Sequence, residues 1–257
     1  MAACGQTPAV VIGVADHGES DKIVTCYCPG LGKLKGIAKG AKRSRKRFVN
    51  KLELFSLLEI QYATGSRTSL VRIDQAEMLT PFPTLRRSYD AYAGAALICE
   101  LLLNWTREND GDDELFALVV WALTQLDQGQ PVGDTLVLFQ IRMLDLLGYR
   151  PRLHGCLECG GLAPAGAPYR FSPSRSGLLC SRCGCRQTGA VPDQASLSLS
   201  TVMLLLKAQD LPREKLSRLR FSPAAARESL TMLRHYGTYL LQREIYSWNH
   251  LGCLAAG

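Results

Sequence analysis

Two pairs of cysteines constrain this chain more than any other feature of its sequence. Cys156 and Cys159 form one C-x-x-C pair, Cys180 and Cys183 form a second, and 20 residues separate the pairs. Two residues between thiolates let a tight turn direct both sulfur atoms at one ion, and two such turns complete a tetrahedron. The spacing therefore predicts one structural Zn²⁺ ion per chain, bound by these four cysteines. Cys185 is an alternative to Cys183 as a ligand.

Other uses of these cysteines fit the sequence less well. A redox C-x-x-C pair is expected beside a βαβ pattern, which this chain lacks. A catalytic zinc ion leaves one coordination position open for water, whereas four thiolates fill every position. The H-x-E signature of zinc deaminases is also missing, because His154 and Gly155 lead directly into Cys156. Four free cysteines in a loop are the main alternative to a metal site.

Apolar stretches and the N-terminus indicate a protein of the cytoplasm without a membrane span. The longest apolar stretches, 91–105 and 115–126, fall short of the roughly 18 to 20 residues that cross a bilayer. The first residues lack the positive charge that opens a secretory signal. We therefore expect a reducing compartment, in which the ten cysteines do not form a disulfide framework.

The first 80 residues are typical of a β-rich domain. Short apolar or alternating runs are separated by turns that contain glycine or proline, as expected of strands. The predicted strands are 9–15, 22–28, 34–38, 54–62 and 69–76. Five short strands in this length favour a small closed or partly closed barrel.

The pattern changes to helix after residue 80. The predicted helices are 85–106, 112–127, 134–147, 199–209 and a long one from 223 to about 248. Asp134 is the predicted N-cap of the third helix, and Ser222 followed by Pro223 begins the last one. Between them, 150–193 is rich in glycine, proline and cysteine, which indicates an irregular insert.

These patterns together predict an α+β protein. The barrel is followed by a helical domain, and the four-cysteine zinc module is inserted into that helical domain. The predicted segments are 1–80 for the barrel, 81–149 and 194–257 for the two parts of the helical domain, and 150–193 for the zinc insert.

Positive charge is concentrated in one segment. Residues 22–52 contain ten Lys or Arg and no Asp or Glu, so the rest of the chain carries −3 although the whole chain carries +7. Such asymmetry indicates a polyanion binder, for which a nucleic-acid backbone is the obvious candidate. The residues predicted to bind it are Lys33, Lys35, Lys39, Lys42, Arg43, Arg45, Lys46 and Arg47.

The densest part of this segment, 42–47, is predicted to be a mobile loop, because like charges repel one another there. Tyr27 and Phe48 are close enough in sequence to offer stacking faces for unpaired bases. The alternatives are a solvated surface loop for the charges and the barrel core for the aromatic rings.

The sequence contains no motif that indicates catalysis. Residues 36–42 are rich in glycine and lysine but do not match G-x-x-x-x-G-K-[ST]. The motifs G-x-S-x-G and H-E-x-x-H are absent as well. We therefore expect a binding protein and not an enzyme.

Several short motifs, spread over nearly the whole chain, resemble those of the RecO family of bacterial recombination mediators. The motif 147–151 (Leu-Gly-Tyr-Arg-Pro) leads directly into the first cysteine pair, as it does in that family. Each motif is weak alone, and together they are specific. The matching stretches are 18–22, 32–33, 38–43, 52–56, 76–77, 147–151, 171–173 and 176–180.

This resemblance implies an N-terminal OB-fold, a helical domain and a zinc module inserted in the latter. It also implies binding to single- and double-stranded DNA, annealing of complementary strands, and action with RecR to help RecA replace SSB in the RecF pathway. Contact with the C-terminal tail of SSB is expected in the helical domain, and a location at the nucleoid follows. A zinc-ribbon RNA-binding or transcription-associated protein is the alternative function.

Overall fold

The structure is a computed structural model and describes residues 4–64, 70–161, 167–184 and 195–252. Contacts between residues divide the chain into two units, Met1–Gln128 and Gly129–Gly257. The domain limits after residues 80, 149 and 193 stay a prediction. Across the described ranges, no helix has both the length and the apolar character that crossing a bilayer requires.

A closed barrel of five strands forms the first part of unit one, as the alternating patterns predicted. The strand order is β1-β2-β3-β5-β4, and β4 pairs with β1 to close the sheet. β3 and β5 run parallel, and the other neighbours are antiparallel, which gives an OB-like barrel. The strands are β1 (Cys4–His17), β2 (Asp21–Cys28), β3 (Gly32–Ala38), β4 (Leu57–Ala63) and β5 (Val71–Thr80).

The fourth strand begins later than predicted. Phe55 has a φ of 71°, so the backbone cannot be extended there, and β4 starts at Leu57 instead of residue 54. The N–H of Phe55 donates to the carbonyl of Val11 at 2.8 Å, and the N–H of Val11 donates to the carbonyl of Ser56 at 3.0 Å. These bonds hold the turn before β4 against β1.

Two helices complete the first unit and cover an outer face of the barrel. They are α1 (Tyr89–Trp105), which contacts β1, and α2 (Asp113–Asp127), which contacts β2. The hydroxyl of Ser88 accepts a hydrogen bond from the N–H of Ala91, and the carboxylate of Asp112 accepts from Glu114 and Leu115. Such N-caps satisfy backbone donors that a helix leaves free at its start.

The second unit is built on three long helices that pack against one another. They are α3 (Val132–Leu146), α5 (Leu199–Asp210) and α7 (Pro223–Leu241), with a short α6 (Arg213–Leu216) before the last. The prediction that Asp134 caps the third helix is wrong. The N-cap is Pro131, and the buried Asp134 carboxylate accepts a hydrogen bond from the backbone of Phe221. Burial raises the pKa of Asp134.

The last helix is shorter than predicted. It ends at Leu241 because Gln242 adopts a left-handed conformation with φ 52°. The chain then forms a 3-10 turn, Tyr246–His250. The predicted start of the last helix is confirmed, since the Ser222 hydroxyl accepts a hydrogen bond from the N–H of Ala225.

The cysteines lie between α3 and α5, on a small sheet with the order β7-β6-β8. Its strands are β6 (Tyr169–Ser172), β7 (Gly177–Leu179) and β8 (Ser196–Leu197), and a single helical turn, α4 (Ser181–Gly184), follows β7. We call the described residues 150–161 and 167–184 the cysteine module. The inserted module predicted from composition is thus present between the helices.

Candidate metal centre and nucleic-acid interface

The four predicted cysteines meet at one point of the cysteine module. The ligand atoms of Cys156, Cys159, Cys180 and Cys183 all lie within 4.8 Å of one another, and the Sγ atoms of Cys159 and Cys180 are 3.9 Å apart. Sulfur atoms at about 2.3 Å from a tetrahedral zinc ion would be separated by about 3.8 Å. The cluster therefore has the size of a four-thiolate site and could hold a metal ion. Cys185 lies outside the described residues.

The two C-x-x-C turns share one backbone hydrogen bond. The N–H of Gly160 donates to the carbonyl of Cys156 at 2.9 Å, and the N–H of Gly184 donates to the carbonyl of Cys180 at 2.8 Å. Gly160 has φ 68°, which glycine adopts without the steric cost that a side chain would bring. Each turn thus brings its two cysteines to the same side, as the two-residue spacing requires.

The thiols of the cluster differ in how readily they ionise. Burial opposes a charge on Cys156, but backbone hydrogen bonds from Cys159, Cys180 and Glu158 outweigh it and lower the pKa of that thiol to about 6. A backbone hydrogen bond from Cys183 lowers the pKa of Cys180. The hydrogen bond between the Cys183 and Cys180 side chains, together with burial, raises the pKa of Cys183 to about 12. A divalent cation would relieve the repulsion among four thiolates, and this donor set suits Zn²⁺.

Neighbouring strands and helix α7 support the cluster. The N–H of Leu157, inside the first cysteine pair, donates to the carbonyl of Leu178 on β7 at 2.8 Å. On β6 the ring of Phe171 packs edge-to-face against Tyr236 of α7, with centroids 5.1 Å apart. The first cysteine turn is therefore joined by backbone bonding to the strand that precedes the second.

Two of the eight predicted basic residues are bound within the first unit. The Nζ atom of Lys33 donates to the carbonyl of Leu103 at 2.8 Å, and burial lowers the pKa of this lysine. The Nζ atom of Lys42 lies 3.0 Å from the carboxylate of Asp16 and 3.0 Å from the carbonyl of Gly18. Both side chains hold the barrel surface together and have less freedom to meet a ligand.

Arg47 is the third basic residue with a structural role. Its guanidinium donates to the carbonyls of Lys39 at 3.2 Å and Asp74 at 3.3 Å. The same group lies 5.1 Å from the ring centroid of Phe48, within the range of a cation–π contact. Arg47 therefore joins the loop to β5.

The other five cations face solvent. Arg43 is 3.6 Å from Glu19, but both side chains are highly exposed, at 72% and 93%, so this pair contributes little stability. The side chains of the remaining four make no hydrogen bond or ion pair with any residue that the structure describes. We call these five cations the barrel basic surface: Lys35, Lys39, Arg43, Arg45 and Lys46.

Backbone hydrogen bonds give the basic loop a defined form at its base. The N–H of Gly40 donates to the carboxylate of Asp21 at 2.8 Å, a bond that lowers the pKa of Asp21. The N–H of Lys42 donates to the carbonyl of Ser20 at 2.9 Å. A 3-10 turn, Ala41–Arg43, follows from this anchoring. The cations are therefore presented from a bonded turn on the β1–β2 hairpin.

The prediction that Tyr27 and Phe48 stack on bases is wrong. Phe48 is 4% exposed and lies in the barrel core with Leu52. Tyr27 is fully buried, which raises its pKa to about 12. Its neighbours Cys26 and Cys28 face the barrel core, so Tyr27 lies on the outer face that α2 covers. The alternation of residues along β2 predicts that Tyr27 faces out of the barrel. It does not predict that α2, which comes later in the chain, covers that face.

A depression of about 510 Å³ beside the loop was not predicted. Its wall includes two acidic side chains, Asp16 and Glu53, and two lysines, Lys22 and Lys42. Lys22 lies 3.4 Å from Glu53, so charges of both signs are paired there. The lining residues come from three separate stretches of the chain, and no local sequence signal brings them together.

Fold and site together define a class of protein: an OB-like barrel and a helical unit that carries a four-cysteine module able to hold a metal ion. Residues 1–82 match the family described as Recombination protein O N terminal, and residues 86–249 match Recombination protein O C terminal. The chain belongs to the RecO family of DNA repair and recombination proteins.

Curated relatives cover nearly the whole chain. The DNA repair protein RecO of Syntrophus aciditrophicus (strain SB) is 33% identical over 242 residues, 94% of this chain and 93% of that protein. The DNA repair protein RecO of Syntrophobacter fumaroxidans is 35% identical over 216 residues, 84% of each chain. The DNA repair protein RecO of Anaeromyxobacter sp. (strain K) is 34% identical over 237 residues, 92% of this chain and 91% of that protein.

Proposed function

We propose that this chain is a recombination mediator that binds single- and double-stranded DNA and anneals complementary strands. With RecR it helps load RecA onto single-stranded DNA that is coated with SSB. It acts as a binding protein, without catalysis, in the cytoplasm at the nucleoid. Membership of the RecO family supports a role in DNA repair, and the finer steps rest on the resemblance and on the barrel surface.

The barrel basic surface is the observation that carries this proposal. Its five cations face solvent from one loop and the strand before it, and only Arg43 has a weak acidic partner among the described residues. Such a surface attracts phosphates whatever the base sequence. Because Phe48 and Tyr27 are buried, this surface offers charge and no base stacking from those rings. We therefore expect it to bind both single strands and duplexes.

We propose two different roles for the eight predicted basic residues. We assign the phosphate contacts to the barrel basic surface. The other three, Lys33, Lys42 and Arg47, position the loop and its neighbouring strands, because their side chains are bound to other residues of the first unit. Annealing follows from the same chemistry, since cations that neutralise phosphates reduce the repulsion between two strands.

We further propose that the cysteine cluster holds one structural Zn²⁺ ion per chain. Cys156, Cys159, Cys180 and Cys183 would fill its tetrahedral coordination, so no position is left for an activated water molecule. The metal would supply cross-linking between the two turns. The metal would thereby hold the cysteine module in one conformation.

The C-terminal tail of SSB is proposed to dock on the second unit. An acidic tail that ends in an apolar side chain needs an apolar contact beside a basic residue. Helix α5 offers this combination one turn apart: Leu199 is 43% exposed, Met203 is 58% exposed, and Lys207 follows on the same face and is exposed. Titration with intact SSB and with SSB lacking its last residues tests this contact. Equal affinity for both would contradict it.

An annealing assay tests the proposed function directly. Complementary oligonucleotides, bare or coated with SSB, are mixed with the protein in the absence of nucleotide, and duplex formation is followed by fluorescence quenching. We expect annealing well above the protein-free rate. No annealing, together with tighter binding to RNA than to DNA, would favour an RNA-binding or transcription-associated protein instead.

A further inference from the structure

The two units carry very different net charges. Residues 1–128 contain fifteen Lys or Arg and fifteen Asp or Glu, so the first unit is neutral. Residues 129–257 contain fifteen Lys or Arg and eight Asp or Glu, which is +7. The whole surplus charge of the chain therefore belongs to the unit that lacks the barrel. A unit with this net positive charge attracts a polyanion independently of the barrel.

One stretch of the second unit holds several of these charges on a backbone that is anchored by buried side chains. Residues 215–221 combine buried apolar side chains with exposed cations. The apolar side chains Leu216, Leu219 and Phe221 are buried, whereas the cations beside them in sequence, Lys215, Arg218 and Arg220, are exposed. With Arg227, which is exposed on α7, these cations form what we call the helical basic surface: Lys215, Arg218, Arg220 and Arg227.

The acidic residues nearest in sequence are occupied elsewhere. Glu214 is 3.6 Å from Arg213, and the Glu228 carboxylate accepts hydrogen bonds from the N–H and hydroxyl of Ser198 at 2.9 and 3.0 Å. The side chains of Lys215, Arg218 and Arg227 have no ion pair or hydrogen bond to any part of the chain that the structure describes. Their charges are therefore available to a ligand.

Arg220 has a different position from its three neighbours. Its guanidinium donates to the amide oxygen of Gln130 at 2.8 Å and to the carbonyl of Ser217 at 2.7 Å. It also lies near the buried carboxylate of Asp134, whose pKa it acts to lower. Arg220 thus fixes the stretch to the start of α3, and Lys215, Arg218 and Arg227 carry the free charge.

Three of the five arginines in the cysteine module are bound within the chain. Arg150 bonds to Asp145 at 2.9 Å and to Asp210 at 2.6 Å, and Arg175 bonds to Glu158. The guanidinium of Arg152 donates to the carbonyl of Arg175 at 2.8 Å. The helical basic surface is therefore the better candidate for a ligand.

The chemistry of the surface favours a phosphate backbone over an acidic peptide. A peptide that binds tightly usually buries apolar side chains as well as pairing its charges. Here the apolar side chains between the cations, Leu216, Leu219 and Phe221, are already buried in the unit. Charge alone is left on the outside, which is sufficient for nucleic acid.

We propose that Lys215, Arg218 and Arg227 bind the phosphate backbone of a second nucleic-acid strand, so that one chain holds two strands at once. This inference rests on the proposed function, because it gives annealing a second strand site. The barrel basic surface holds one strand and the helical basic surface holds its complement. Each strand is neutralised locally, and the encounter of the two strands takes place on one chain.

The test compares two variants with equal change of charge. The first is Lys215→Glu/Arg218→Glu/Arg227→Glu, and the control is Arg170→Glu/Arg234→Glu/Arg243→Glu on the same unit. Both are checked for melting temperature and metal content. Measurements are the number of short oligonucleotides (below about 16 nucleotides, one OB-fold site) bound per chain, the affinity for the first one, and the rate of annealing of bare strands.

We expect the first variant to bind one oligonucleotide where wild type binds two, with the first affinity within about twofold and annealing slower by about tenfold or more. The control should behave as wild type. Two oligonucleotides bound to the first variant, or equal losses in both variants, would overturn the proposal. So would unchanged strand binding together with a lost affinity for a poly-glutamate peptide, which would assign the surface to an acidic protein.

Failure of the proposed function gives a different result. If wild type does not anneal strands at all, the mediator function fails, while the count of oligonucleotides per chain still decides whether the helical basic surface is a strand site.

Discussion

In the barrel, five strands of 7 to 14 residues close into one sheet around buried side chains, and every strand has a hydrogen-bonded neighbour on both sides. In the small sheet to which the cysteine module contributes β6 and β7, the strands have only 2 to 4 residues. Such short strands supply few hydrogen bonds, although their apolar side chains, among them Phe171 and Leu178, are buried. The barrel is thus held by a continuous hydrogen-bonded sheet around its core, whereas the module has few strand hydrogen bonds, and its four convergent thiolates would add a cross-link on binding a metal.

Removing the metal should have the largest effect, and it should be confined to the second unit. Structural zinc contributes about 10 kcal/mol or more to folding in small modules. In Cys156→Ser/Cys180→Ser protein we expect loss of the bound metal and of hydrogen-exchange protection in the cysteine module, with protection of the barrel strands retained. Elemental analysis and exchange mass spectrometry measure both.

The exposed Cys4 provides the matched control, since Cys4→Ser makes the same chemical change outside the cluster. Wild type without any bound metal, or a double serine variant that keeps exchange protection in the module, would remove the distinction between the two regions.

The converse experiment disturbs the barrel and leaves the module intact. Phe48 is buried in the barrel core, so Phe48→Ala should cost about 3 to 5 kcal/mol of unfolding free energy in the first unit. Metal content should not change. Denaturant unfolding with a barrel-specific probe measures the loss, and DNA affinity is measured on the folded fraction. A variant that keeps its stability and loses DNA binding would return Phe48 to the role of a stacking residue.

A smaller effect is expected where the turn between β2 and β3 meets the loop between α1 and α2. A Cβ atom on Gly111 would lie 2.2 Å from the backbone carbon of Gly30 and 2.3 Å from the nitrogen of Leu31. Because backbone atoms cannot move aside as a flexible side chain can, Gly111→Ala should destabilise the first unit by about 1 to 3 kcal/mol. Gly13→Ala is the control, since a Cβ atom on Gly13 would lie 3.4 Å from its nearest neighbour, the Cβ atom of Thr25. Equal melting temperatures for the two variants would contradict this close packing.

The difference between the regions also explains what the sequence predicted well. A metal site with C-x-x-C turns is local, so the spacing of Cys156, Cys159, Cys180 and Cys183 was enough to predict their convergence. The barrel strands were predicted because alternation is local too. Their ends were not, since the left-handed Phe55 and the extension of β5 to Thr80 depend on packing between distant residues.

Tertiary contacts account for the errors. Tyr27 has the period of an outward-facing residue, but α2 covers it. Asp134 has the residue type of an N-cap, but its carboxylate is used by the backbone of Phe221, 87 positions away in sequence. Likewise, the sequence indicated the charge of the basic segment and gave no means to separate the free cations from Lys33, Lys42 and Arg47, which bind to the barrel unit itself.

The salt dependence of single-stranded DNA affinity tests the central claim, that the barrel basic surface binds the phosphate backbone. The variant Lys39→Gln/Arg45→Gln/Lys46→Gln removes three of its charges. The control Arg72→Gln/Arg87→Gln/Arg107→Gln removes three exposed charges of the same unit outside that surface. Each lost phosphate contact should make the plot of log K against log salt shallower by about 0.7. We predict a slope shallower by about 2 for the first variant and an unchanged slope for the control. A first variant with the wild-type slope, or a control with an equal loss, would contradict the assignment of DNA binding to this surface.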